Sequence, residues 1–139
     1  LGVGSCINMT NPSVKRRVLV IDDEVGLLRM VKLALEQTGR FEVVTESHAE
    51  QALETAQEVR PEVVLLDVMM PGMDGGAVAA SLRGNPVTKE VRIIFLTAAV
   101  QDDEVKKRGG IIGGDQFLAK PVSAKELIGA IEQSPPSST

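Results

Sequence analysis

At 139 residues the chain is long enough for one domain with a full core, and at 43% hydrophobic but 2% aromatic that core has to be aliphatic. A formal net charge of −4 argues against a nucleic-acid-binding surface. No apolar run approaches the ~20 residues of a membrane-spanning helix, so neither direct nucleic-acid binding nor membrane insertion is expected.

The first segment, residues 1–14, reads as an irregular lead without the continuous apolar stretch of a secretory signal. Leu1 at its head fits a fragment or added residues, with Met9 as an alternative start. The single cysteine, Cys6, has no partner in the chain, which fits a reducing, cytoplasmic setting. Residues 15–133 then form one domain in which five short apolar runs alternate with five helical patterns. The runs are Val18–Ile21, Phe41–Thr45, Val63–Leu66, Ile93–Leu96 and Phe117–Ala119. Such alternation predicts βαβ units and a parallel sheet in an α/β fold. The first, third and fourth runs are apolar throughout, as strands covered on both faces are. The second is interrupted by Glu42, which suits an edge strand.

Leu27, Leu28, Val31 and Leu35 form a helical stripe that Gly39 ends; Ala52, Leu53, Ala56 and Val59 form another before Pro61. Asp74 suits the cap of a helix starting at Gly75. Ser123 and Glu126 make a capping box ahead of the stripe Ala124, Leu127, Ile128 and Ile131. The fourth helical segment, from Asp102, runs into Gly109-Gly110-Ile111-Ile112-Gly113-Gly114 and is predicted to be short or frayed near Gly109. Residues 134–139 read as a Ser/Pro-rich tail or linker.

In a parallel sheet the carboxyl ends of the strands share one rim. Asp22-Asp23, Asp67, Thr97 and Lys120 all follow or close strands there. Crowded carboxylates repel unless a cation neutralises them, and an all-oxygen set favours a hard ion such as Mg²⁺. Lys120 and Thr97 add an ammonium and a hydroxyl, a set suited to a phosphoryl group with a carboxylate as nucleophile. Each residue also has a plainer reading. Asp22 or Asp23 could cap the next helix, Asp67 could open a turn, Lys120 could be a solvated edge lysine and Phe117 a core aromatic. His48, the only histidine, reads as a solvated residue at a helix start.

Four motifs together, Ile21-Asp22-Asp23-Glu24, Leu66-Asp67-Val68-Met69-Met70-Pro71-Gly72-Met73-Asp74-Gly75, Leu96-Thr97-Ala98 and Phe117-Leu118-Ala119-Lys120-Pro121, resemble the response-regulator receiver domain of two-component signalling over about residues 17–133. The resemblance implies a doubly wound, flavodoxin-like three-layer fold with a five-stranded parallel sheet in the order 2-1-3-4-5 and five helices. It implies that Asp67 accepts a phosphoryl group from a sensor histidine kinase or histidine phosphotransfer protein. Asp23 would bind Mg²⁺ (or Mn²⁺) directly, Asp22 through water, and Asp67 and the Met69 carbonyl would complete the protein ligands. Lys120 would meet the phosphoryl oxygens, Thr97 and Phe117 would form the switch pair, and the Lys120–Pro121 bond would be cis. Met69 and Ala99 would set phosphoryl lifetime; neither side chain hydrogen-bonds an attacking water well, so slow self-dephosphorylation is expected. An unknown effector, or a second copy in a homodimer, would read the face of the fourth helical segment, fifth strand and fifth helix. The Thr97–Lys120 interval carries one residue more than the usual family spacing, near Gly109-Gly110. Competing readings are a phosphorylation-independent interaction module and a haloacid-dehalogenase-like hydrolase. The latter keeps its nucleophile in an Asp-x-Asp pattern on the first strand, where this chain has Asp22-Asp23.

Overall fold

The computed structural model describes residues 15–98, 111–112 and 115–132. In chain order they form β1 (Arg16–Ile21), α1 (Val25–Glu36), β2 (Phe41–Glu46), a 3-10 turn (Ala49–Gln51), α2 (Ala52–Val59) and β3 (Val63–Asp67). There follow α3 (Gly75–Arg83), β4 (Arg92–Thr97), β5 (Ile111–Ile112), β6 (Asp115–Ala119) and α4 (Ala124–Glu132). The sheet order is β2-β1-β3-β4-β6-β5. Its first five members are parallel and reproduce the expected 2-1-3-4-5 order.

The sixth, β5, is an addition: Ile111 and Ile112 pair antiparallel with Gln116 and Asp115. The pair follows Gly109, near which the fourth helical segment is expected to break. Two β-branched residues suit an extended strand. The rest of that segment, including the predicted break near Gly109, lies outside the described residues, as do the lead with Cys6, the tail and Ala99.

Successive residues of a strand face opposite sides of a sheet, and the core divides accordingly. Val18, Val20, Val63, Leu65, Ile94 and Leu96 pack under α1 and α4 with Leu28, Val31, Leu35, Leu127 and Ile131. Leu19, Ile21, Val64, Leu66, Ile93 and Phe95 pack under α2 and α3 with Ala52, Ala56, Val78 and Leu82. Fully burying each Val, Leu, Ile or Phe side chain among these is worth about 1.5–3 kcal/mol. Two covered faces explain why all five residues of β3 are buried. β2 lies at the edge, as its charged interruption suggested.

The helix ends follow local chemistry. Gly39 takes φ +78° after α1, a conformation that glycine adopts without strain. Asp74 caps α3 by accepting from the Ala77 N–H at 2.9 Å. Ser123 and Glu126 exchange the two bonds of a capping box, at 2.9 and 3.1 Å. At the other end of α4, the Arg92 guanidinium donates to the carbonyls of Ala130 and Ile131 at 2.6 and 2.9 Å. A cation there satisfies orphan carbonyls and suits the helix dipole.

Among the described residues, Gly75 is the helical glycine whose missing side chain the fold requires. A Cβ there would lie 2.5 Å from the Asp67 carbonyl oxygen and 2.8 Å from Val68 Cα. Gly129, in the exposed interior of α4, would meet nothing within 4 Å. Gly75→Ala is therefore expected to destabilise the fold by about 1–3 kcal/mol, and Gly129→Ala to stabilise it by up to about 1 kcal/mol. Urea denaturation of the two variants reads the opposite signs directly.

Candidate functional site

The parallel ladder does not stop at the strand ends. The Asp22 N–H donates to the Glu46 carbonyl at 3.2 Å, Val68 N–H to Leu96 at 3.0 Å and Lys120 N–H to Thr97 at 2.9 Å. These bonds fix the backbone one residue beyond β1, β3 and β6. They bring Asp22, Asp67, Thr97 and Lys120 to one rim, the position where open α/β sheets bind ligands.

Burial there is severe for acids. Asp22 is 0% and Asp67 4% exposed, whereas Asp23 points into solvent. One oxygen from each of the three carboxylates can be chosen so that all lie within 4.8 Å of one another. Two like unit charges at 4 Å repel by about 4 kcal/mol at an effective dielectric of ~20. Lys120 answers part of that charge. Its Nζ lies 2.9 Å from Asp22 Oδ2, 2.9 Å from Glu24 Oε1 and 3.4 Å from Asp67 Oδ1.

The backbone holds both buried acids in place. Asp22 Oδ1 accepts from the Glu24 N–H at 2.9 Å, and Asp67 Oδ1 from the Met69 N–H at 3.3 Å. Asp22 Oδ2 is buried and, despite its closeness to Lys120, receives no aligned hydrogen bond. Burial raises the Asp22 carboxyl above its ordinary value against the pull of the Glu24 N–H and Lys120. Burial also raises Asp67, and the neighbouring Asp22 charge adds to it. Burial alone would lower Lys120, but its contacts with Asp22 and Glu24, and the charge of Asp67, outweigh that and push it above the ordinary lysine range.

The capping alternative for the first acid pair does not describe the site. The residue at the N-cap of α1 is Glu24, whose side chain makes no capping hydrogen bond. Thr97 is buried, at the end of β4. Phe117 is half-buried and stacks on Phe95, its register partner, with ring centroids 4.9 Å apart and planes 23° apart. The Lys120–Pro121 peptide bond is cis. The Met69 side chain is exposed, and Asp74 is spent on its cap. His48 stands apart at the end of β2, exposed, with Ser47 and Glu46 as neighbours. Glu24 is the member of the site that the sequence does not single out. It is one more acid beside an acid pair, and only the fold shows that its carboxylate reaches Lys120.

The donor set is all oxygen, partly preordered and short of positive charge, with one buried carboxylate oxygen lacking a hydrogen bond. Those properties fit a hard divalent cation. Rising from the same rim, a cleft of about 420 Å³ is lined by Glu24, Leu27, Met30, Ala98, Lys120, Pro121 and Val122.

Comparison with known proteins agrees with this geometry. Residues 18–132 match the family model described as the response regulator receiver domain. The chain is 33% identical over 119 residues to the phosphate regulon transcriptional regulatory protein PhoB of Pseudomonas aeruginosa, covering 86% of this chain and 51% of PhoB. It is 35% identical over 124 residues to protein PilG of the same organism, covering 88% and 90% of the two chains. Against some of its curated relatives, PhoB and the probable transcriptional regulator ycf27 of Cyanophora paradoxa among them, the chain spans about half of their length. The solved structure of the chemotaxis response regulator CheY4 of Vibrio cholerae superposes with a TM-score of 0.72 at 29% identity, covering 86% of this chain and 98% of that one. With its family match over most of its length, its sheet order and its clustered acids, the chain belongs to the response regulator receiver domains of two-component signalling.

Proposed function

We propose that the chain is a phosphorylation-driven switch in which Asp67 takes a phosphoryl group from a histidine kinase or a histidine phosphotransfer protein. The observation that carries this reading is Asp67 itself: a buried carboxylate at the end of β3, 3.4 Å from an ammonium and beside two further acids. A carboxylate so placed is a nucleophile waiting for an electrophile that brings its own charge. Its oxygen attacks phosphorus while the donor's bond to phosphorus breaks and the electron pair leaves with the donor.

The other residues divide the work. Asp22, Asp23, Asp67 and the Met69 carbonyl would hold Mg²⁺ (or Mn²⁺), with Asp22 acting through water. When bound, the ion would neutralise the carboxylates and the phosphoryl oxygens. Lys120 neutralises charge on the phosphoryl oxygens and keeps it fixed. Thr97 turns its hydroxyl toward a new oxygen, and Phe117 moves inward past Phe95. The added charge and acceptor oxygens bias a two-state face that a downstream effector, or a second copy, reads. The apolar cleft beside Glu24 and Lys120 gives a phosphodonor protein a surface on which to seat next to Asp67.

Incubation with Mg²⁺ and acetyl phosphate should add the mass of one phosphoryl group to the native chain and none to Asp67→Ala. Equal addition to both, or none to the native chain, sinks the assignment. Once on, the group should leave slowly without a phosphatase, because the exposed Met69 offers no hydrogen bond to an attacking water and Ala99 has none to offer. Rapid spontaneous loss in a mass time course would contradict that.

The raised carboxyls give metal binding a pH signature. Asp22 and Asp67 are raised from 3.8 in the fold, so the folded chain takes up protons before the unfolded chain does. Without metal, these two groups make stability rise as pH falls from neutral through their folded-state values toward 3.8. Mg²⁺ needs the ionised form, so its stabilising effect runs the opposite way. The rise in melting temperature on adding Mg²⁺ should be largest near neutral pH and shrink on mild acidification. A Mg²⁺ effect independent of pH would contradict the proposed ligand set.

A further inference from the structure

Lys120 has three carboxylate neighbours, and they are not equivalent. Asp22 and Asp67 are buried, and each is tied to a backbone N–H. Glu24 has an exposed side chain, 62% accessible, and sits at the start of α1 without capping that helix. Among the described residues its carboxylate has one hydrogen-bond partner, Lys120 Nζ, at 2.9 Å. The ammonium therefore rests nearer to Glu24 and Asp22 than to Asp67, at 2.9, 2.9 and 3.4 Å. A phosphoryl group on Asp67 would draw the ammonium toward itself. Of the three contacts, the one to Glu24 can yield at least cost, because that carboxylate swings back into water. Most exposed ion pairs contribute little. This one differs because its lysine side chain is only 15% exposed and supplies positive charge to the acid cluster.

We propose that Glu24 is a positioning residue that holds Lys120 in its resting place off Asp67 and thereby slows phosphoryl uptake. The proposal rests on Asp67 being the acceptor. With acetyl phosphate the step is balanced without a further reactant: an Asp67 carboxylate oxygen forms the bond to phosphorus, the acyl-oxygen bond to phosphorus breaks, and acetate leaves with the electron pair. In the resting chain Lys120 is shared with Glu24; in the product it is committed to the phosphoryl oxygens. Removing the Glu24 contact therefore raises the resting state alone. Uptake accelerates, whereas loss of the group, which starts from a state without the contact, does not change.

The test follows phosphoryl gain and loss by intact mass in the native chain, Glu24→Gln and Glu24→Asp, with acetyl phosphate at saturating Mg²⁺. Aspartate keeps the charge but falls one methylene short of Lys120. Both variants should take up the group about two- to fivefold faster, the range open to one partly exposed ion pair, and lose it at the native rate. Native-rate uptake in Glu24→Gln overturns the proposal. So does acceleration in Glu24→Gln with native-rate uptake in Glu24→Asp, which would make the effect one of net charge rather than contact. Uptake and loss changing together would mark a structural role and overturn it equally. A native chain that gains no phosphoryl group removes the Asp67 reading and this proposal with it.

Discussion

One ammonium stands between two buried carboxylates and the cost of burying them. Asp22 and Asp67 are withdrawn from water at 0% and 4% exposure, and among the described residues Lys120 is the cation within reach of both. Isolated charges at such depth would neutralise or unfold the chain; paired and hydrogen-bonded ones persist. Lys120 can reach them because its own N–H extends the ladder to Thr97. The geometry of the rim is thus a property of the sheet and not of flexible loops.

The scaffold bears that electrostatic load with aliphatic packing. β1 and β3 are sandwiched between two separate cores, one under α1 and α4 and the other under α2 and α3. Gly75 lets α3 start against the Asp67 carbonyl, so the helix and Asp67 share a boundary with no room for a methyl group. At the opposite end of the sheet Arg92 ties β4 to the last turn of α4. The contact best able to rearrange is the exposed one, between Glu24 and Lys120.

Much of this could be read from the residues. The apolar runs located the five parallel strands, because a strand covered on both faces has to be hydrophobic throughout. Glu42 marked β2 as an edge, and Ser123 with Glu126 marked the start of α4. The acids, Thr97 and Lys120 were legible as a group because a parallel sheet sends every carboxyl end to one rim. The strands run further toward their amino ends than their apolar cores suggest. Arg16, Arg92 and Asp115 pair through their backbones, to which hydropathy is blind. Ile111–Ile112 carries no legible strand signal because two residues make no period, and its antiparallel pairing is visible only in the fold. The roles of Glu24 and Arg92 depend on contacts 96 and 38–39 residues distant in sequence, and local pattern holds no trace of them.

The proposed switch requires a covalent bond at one carboxylate, Asp67. Reductive trapping measures it most directly: the chain is treated with acetyl phosphate and Mg²⁺, reduced with borohydride, digested and mapped by tandem mass spectrometry. An acyl phosphate on Asp67 is converted to homoserine at position 67, with Asp22 and Asp23 unaltered. Homoserine at another position, or an unmodified residue 67 in a chain that has gained a phosphoryl group, would contradict the account.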